Sequence, residues 1–106
     1  MTRWMRCHWV EEDVLFLFEV GEDGRVRRQV ELRGPERTAE VAADSEEWEA
    51  AWRAGTAGAY EARYGATAEP PVREWEGYEP EWLTAEEFER VWREARRAIA
   101  ERGPEE

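Results

Sequence analysis

Lysine is absent from this chain of 106 residues, and cysteine, histidine and serine occur once each, as Cys7, His8 and Ser45. Each shortage removes a class of chemistry. A lone cysteine forms no internal disulfide. A transition-metal site wants several His or Cys ligands, and one of each does not make one. Cys7 and His8 are neighbours on a predicted strand, so their side chains point to opposite faces and form no thiolate–imidazole pair. Ser45 sits where a helix begins, which explains it as a capping-region residue. No phosphate loop is present, because the Gly-x-x-Gly pieces Gly21–Gly24 and Gly55–Gly58 carry no lysine. Glu11-Glu12-Asp13 lacks the spaced Asp/Asn-Gly pattern of a calcium loop. No metal or cofactor is therefore expected. No apolar run approaches the roughly 18 residues that span a bilayer, and Met-Thr-Arg-Trp-Met-Arg lacks the apolar core of a signal peptide. These absences predict a cytoplasmic protein without membrane contact.

What is present is acid and tryptophan. Hydrophobic residues make up 42% of the chain and seven are tryptophans, enough for a core in a single domain over residues 1–106. The net charge is -11. Residues 1–35 hold six arginines against seven acids, a net of -1, and residues 36–106 hold nine against nineteen, a net of -10. Such a field repels nucleic acid phosphates and favours basic partners.

Hydropathy patterning predicts an α+β fold: a three- or four-stranded antiparallel sheet, a C-terminal amphipathic helix on one face and a second helical segment in the middle. Arg3–Val10 alternates as a strand, Val14–Val20 is apolar on both faces, and Arg25–Arg33 returns after Asp23-Gly24, the strongest hairpin signal in the chain. With Asp23-Gly24 as a two-residue turn, Glu22 meets Arg25, Glu19 meets Arg28, Leu17 meets Val30 and Leu15 meets Leu32. Opposite charges and aliphatics then face one another. The expected core face is Met5, Cys7, Trp9, Leu15, Leu17, Val26, Val30 and Leu32. The opposite face carries Trp4, Arg6, His8, Phe16, Phe18, Val20, Arg27, Gln29 and Glu31. Residues 37–43 read as a short fourth strand.

Ser45 to about Ala54 reads as a helix capped by Asp44, with Trp48, Ala51 and Trp52 on its apolar side. A further turn or two runs through Tyr60–Tyr64 to Gly65. The stretch Glu81–Pro104 reads as one amphipathic helix. Thr84 and Glu87 fit a capping box, Leu83 and Phe88 a hydrophobic staple, and Phe88, Val91, Trp92, Ala95 and Ile99 form its stripe. Gly103 and Pro104 mark its stop.

Several pieces together resemble a family of small bacterial domains of unknown function. They are Arg6-Cys7-His8-Trp9, the run Phe18–Gly24 with its acidic Asp-Gly turn, Val26-Arg27-Arg28-Gln29-Val30-Glu31, and Tyr78–Trp92 with its Glu-Glu-Phe-x-x-x-Trp helix. The pieces cover roughly half the chain; Pro35 to Ala68 does not match. The resemblance implies an α+β domain, carries no established activity or site residues, and points to the immunity-type proteins that sit beside bacterial toxins.

The function this predicts is a non-enzymatic interaction protein, in its sharper form an acidic immunity-type inhibitor that covers a basic toxin or nuclease surface. Trp75, Tyr78 and Trp82 are interleaved with Glu74, Glu76, Glu79 and Glu81. That is an aromatic centre with an acidic rim, suited to a basic protein partner. The alternative use of those aromatics is to pack over the second sheet face. A second reading is a small-molecule binding domain on that face, around Trp4, Arg6, His8, Phe16, Phe18 and Arg27. A third is an enzyme working through carboxylates, which needs a partly buried, pKa-shifted pair.

Overall fold

The computed structural model of the chain describes residues 1–102. The strands are β1 (Arg3–Trp9), β2 (Val14–Val20), β3 (Val26–Arg33), β4 (Thr38–Asp44) and β5 (Glu81–Leu83); the helices are α1 (Ser45–Arg53), α2 (Ala57–Tyr64) and α3 (Ala85–Glu101). All five strands form one antiparallel sheet in the order β4-β3-β2-β1-β5. This is the α+β arrangement the patterning predicts, with one strand more. Glu81–Leu83, read from sequence as the start of the helix, instead pairs with Trp4–Arg6 of β1. The cap explains the break. Thr84 is extended (φ -81°, ψ 161°), its hydroxyl accepts from the Glu87 amide at 3.1 Å, and the Glu87 carboxylate accepts from the Thr84 amide at 2.8 Å. A residue ahead of such a cap is free to join a sheet. The Gly103-Pro104 stop lies outside the described residues.

The β2–β3 hairpin keeps the expected pairs Leu15 with Leu32, Leu17 with Val30 and Glu19 with Arg28. Its turn differs. The Gly24 amide donates to the Gly21 carbonyl (3.0 Å) and the Gly21 amide to the Arg25 carbonyl (2.9 Å), with Gly24 at φ 81°. Glu22–Gly24 is therefore a three-residue loop closed by a left-handed glycine. A bulge beside Glu19 and Val20 absorbs the extra residue, so Val20 faces Val26 while the outer pairs stay in register.

The β1–β2 connection corrects the face assignment. Trp9 pairs with Val14, so the turn is Val10–Asp13, one residue longer than the acidic Glu11–Asp13 run. The Asp13 amide donates to the Val10 carbonyl, and Asp13 sits at φ 50°. One added residue flips the parity of the whole strand. Met5 now faces Phe18, Cys7 faces Phe16, and Arg6 faces Leu17. Trp4, Arg6 and His8 thus belong to the Leu15/Leu17 side, and Met5, Cys7 and Trp9 to the Phe16/Phe18 side. Val26 joins the second side through the bulge.

Each face has its own core. On the first, Leu17, Val30, Ala39 and Ala42 of the sheet meet Phe88, Ala95 and Ile99 of α3. On the second, Met5, Phe18, Val20 and Val26 are covered by Val72, with Ala68, Trp75 and Tyr78 alongside. The segment after α2 turns under the sheet because its backbone finds partners there. The Ala68 amide donates to Gln29 Oε1 (2.8 Å), Arg25 donates to the Glu69 carbonyl (2.9 Å), and the Val72 amide donates to the Gly24 carbonyl (2.8 Å). Gln29, a buried polar residue, is satisfied at both ends, since its Nε2 also donates to Glu31 (2.8 Å). Trp52 departs from expectation: it is 64% exposed, and α1 buries none of its residues.

Arginines stitch α3 to its surroundings. Arg28 donates to both oxygens of Glu19 at 2.8 Å and also pairs with Glu89. Its guanidinium lies 5.0 Å from the Phe88 ring and 4.9 Å from Trp92. Arg96 stands 4.5 Å from Trp92 and 4.0 Å from Tyr64. The result is an alternating series of rings and cations along the helix. Arg96 also donates to Glu47 (2.6 Å) and to the Ala42 carbonyl (2.8 Å), and Arg102 donates to the Ala39 carbonyl (2.6 Å). β4, an edge strand, thus has two of its carbonyls covered by side chains.

Candidate functional site

At the opposite edge the sheet is only half closed. β5 pairs with Trp4, Met5 and Arg6, and there the ladder ends. Continuing the register puts Pro80 opposite Cys7. Proline has no amide hydrogen, so the ladder stops at that point. Cys7, His8 and Trp9 pair with β2 on one side and with nothing described on the other. Residues 75–80, which lead into β5, border an open groove of about 1160 Å³ beside this half-strand.

The groove draws on both sets of residues singled out from sequence. Trp75, Tyr78, Glu79 and Glu81 border it from the chain leading into β5; Phe16 and Phe18 reach it from the second face of the sheet, Arg6 and His8 from the first, and Cys7, Trp9 and Val10 form its edge. Its aromatic side is a run of five rings. Trp9 and Phe16 have centroids 6.5 Å apart, Phe16 and Phe18 stack at 5.8 Å, Phe18 meets Trp75 edge-on at 5.0 Å, and Trp75 meets Tyr78 edge-on at 5.5 Å. Trp75 also donates its indole N–H to the Pro70 carbonyl (3.1 Å). Trp75 and Tyr78 therefore both roof the second core and shape the groove. At the other end Trp9 is 50% and Val10 70% exposed.

Charges fix the rim. Arg6 Nε donates to Glu81 at 2.7 Å. His8 Nε2 and Asp13 Oδ1 are 2.9 Å apart, and Arg37 donates to the same oxygen at 2.8 Å. Those hydrogen bonds, Arg37's first and His8's second, hold the Asp13 carboxyl below its usual range. Glu74, Glu76 and Glu79 are exposed and have no basic partner among the described residues. Elsewhere the acidic region is partly neutralised from within: Glu46 by Arg27, Glu47 by Arg96, Glu89 by Arg28 and Glu81 by Arg6.

Five expected site residues lie outside the groove's lining: Glu74 and Glu76, on either side of Trp75, and Trp4, Arg27 and Trp82. Trp4 turns to the first face, where its indole donates to Glu19 at 3.0 Å. Arg27 points toward α1, donating to Glu46 at 3.3 Å. Trp82 is 58% exposed with the Arg3 guanidinium 5.2 Å from its ring. Conversely, Pro80 and Arg37 were not singled out from sequence. Pro80 carried a readable signal, because a proline next to a strand limits pairing; Arg37 carried none, since its contact with Asp13 is long-range.

No protein-family model, curated protein or solved structure matches this chain. The chemistry of the groove must be judged from its own side chains. Burial pushes the Cys7 thiol up, away from the reactive thiolate, and the strand geometry keeps His8 on the other side of the sheet. Among the described residues no three His, Cys, Asp or Glu side chains gather in a way that holds a metal ion. No described helix is long and apolar enough to cross a membrane.

Proposed function

We propose that this protein is a non-enzymatic interaction module that binds a basic protein partner through the groove and its acidic flank, the kind of role an immunity-type inhibitor plays toward a toxin or nuclease. The observation that carries the reading is the coincidence of two features at one place. Glu74, Glu76 and Glu79 stand without basic partners, and the ring series from Trp9 to Tyr78 opens beside them. Unpaired acids steer a cation-rich surface inward, and part-exposed aromatics supply the desolvated anchors. Glu46 and Glu47 of α1 and Glu89 of α3 contribute less, because arginines of the same chain already hold them.

The test is affinity capture from the native cell with the wild-type chain and with a Glu74→Arg/Glu76→Arg/Glu79→Arg variant, followed by salt titration of the captured complex. The expected result is a basic partner whose binding weakens steeply with salt and falls by about tenfold or more in the variant, in line with the loss of steering and rim contacts. No partner, or one indifferent to both salt and the three reversals, removes the reading.

A second reading, a small-molecule site, is favoured by exposed Trp9 beside half-buried Phe16, which offer ring faces to a flat ligand. Ligand-dependent tryptophan quenching that is lost in Trp9→Ala but survives the Glu74→Arg/Glu76→Arg/Glu79→Arg reversals would separate the two.

A further inference from the structure

The two edges of the sheet are treated differently, and the difference bears on how a partner docks. Along β4 the arginines of α3 occupy the carbonyls of Ala39 and Ala42. Along β1 nothing described occupies the outward backbone of Cys7–Trp9, and Pro80 prevents the chain's own β5 from extending over it. Exposed strand backbone of this kind is a template for another chain. Here the template has an aromatic flank, Trp9 and Phe16; of the charges that line the groove, Arg6 is paired with Glu81 and Arg37 with Asp13, which leaves Glu79 and Glu11 without an ion-pair partner among the described residues.

Resting on the proposed basic-partner reading, we propose that the open half of β1 receives an extended, arginine- or lysine-bearing segment of that partner as an added sixth strand. Main-chain hydrogen bonds to Cys7–Trp9 supply affinity, and alternate side chains divide between the ring face and the acids. An apolar residue of the incoming segment lies over Trp9 and Phe16. Its basic neighbours, two positions apart from one another, turn to the other side of the strand and toward Glu79 and Glu11. Charge argues against a second copy of this chain as the occupant, since each copy carries -11 and the docking edge is itself rimmed by acids.

The experiment uses the full chain, labelled with nitrogen-15, and a blocked octapeptide of alternating arginine and valine as probe. The expected result is amide shifts concentrated on Cys7–Val10 together with a shift of the Trp9 indole. Methylating alternate backbone nitrogens of the peptide should weaken binding by about tenfold or more, as expected from losing two or more hydrogen bonds. Glu79→Arg, a change at an exposed residue without an ion-pair partner, should weaken it several-fold. A glutamate–valine peptide of the same length should fail to bind.

Equal binding of the methylated peptide, or shifts centred away from β1, overturns strand addition. So does a failure of the peptide to bind, or a self-association by sedimentation that shifts the same Cys7–Val10 amides. In each of these cases the salt-sensitive capture described above decides separately whether the basic-partner reading survives.

Discussion

Arg28 joins β2 to β3 through Glu19 and reaches α3 through Glu89, so its removal tests the most highly connected ion pair of the fold. It is 15% exposed, Glu19 is 13% exposed, and two 2.8 Å hydrogen bonds join them. Replacing Arg28 by methionine keeps an apolar stem beneath Phe88 and Trp92 but leaves the Glu19 carboxylate with the Trp4 indole as its remaining described partner. Stranding one member of a fully buried pair costs 3–5 kcal/mol; the residual water access here puts the cost near the lower end, about 3 kcal/mol. For a domain of this size that lowers the melting temperature by roughly 12–20 °C. Glu19→Gln removes the charge from the other side and should cost about 2 kcal/mol, since Arg28 keeps Glu89. The double variant should lose less than the sum, with a coupling of about 1.5 kcal/mol. Urea unfolding followed by circular dichroism at pH 7 measures all four corners of the cycle. Additivity within about 0.5 kcal/mol would show that the pair does no joint work, and the account of the Arg28–Glu19 bridge between β3 and β2 would fail with it.

Other predictions follow from single features. Phe88→Ala, at a fully buried site, should cost about 3–5 kcal/mol by thermal or urea unfolding. Gly65→Ala should cost about 2 kcal/mol or more, because Gly65 has φ 81° and an added Cβ would sit 2.7 Å from Val41 Cγ2; Val41→Ala in the same chain should recover part of it. Thr84→Ala should cost about 1 kcal/mol through loss of the cap. Two pH effects have opposite sign. The Glu19 carboxyl is held below its usual value of 4.5 chiefly by Arg28, against burial, so its contribution is present above that value and is lost as pH falls through the lower folded value. Glu31 is pushed above the same value, chiefly by burial, so the native state favours its protonated form and loses stability as pH rises. Glu31→Gln should accordingly raise the melting temperature at pH 7 and leave it little changed near pH 3.5; equal shifts at both would refute the assignment.

The parts of this fold legible in the sequence were those with local signals. The Thr84–Glu87 capping box, the Asp44 cap of α1, the Gly65 end of α2 and the Glu19–Arg28 pairing all arise within one turn, one cap or one hairpin. β1 was placed correctly but on the wrong face, because parity hung on whether Val10 belonged to the strand or to the turn. Its apolar side chain favoured the strand; the left-handed Asp13, held by His8 and Arg37, favoured the turn. β5 was hidden because three residues ahead of a helix carry no period of their own. Trp52 was misjudged because helical spacing places it beside Trp48 without saying that the sheet stops short of it. The site residues Trp75, Tyr78 and Glu79 were readable as a cluster. That they meet Phe16 and Phe18 across one groove depended on the path of residues 66–80, which long-range backbone partners set.

The arginine cover on β4 has a consequence for how this molecule ages in concentrated solution. Fibrous stacking requires every copy to offer two usable borders, one to accept a neighbour and one to be accepted. This sheet has one border blocked by Arg96 and Arg102 and one short border open at Cys7–Trp9. Were two copies to pair through the open side it would be used up, so association would end at two chains, and polymerisation would need α3 to peel away from Arg96 onward.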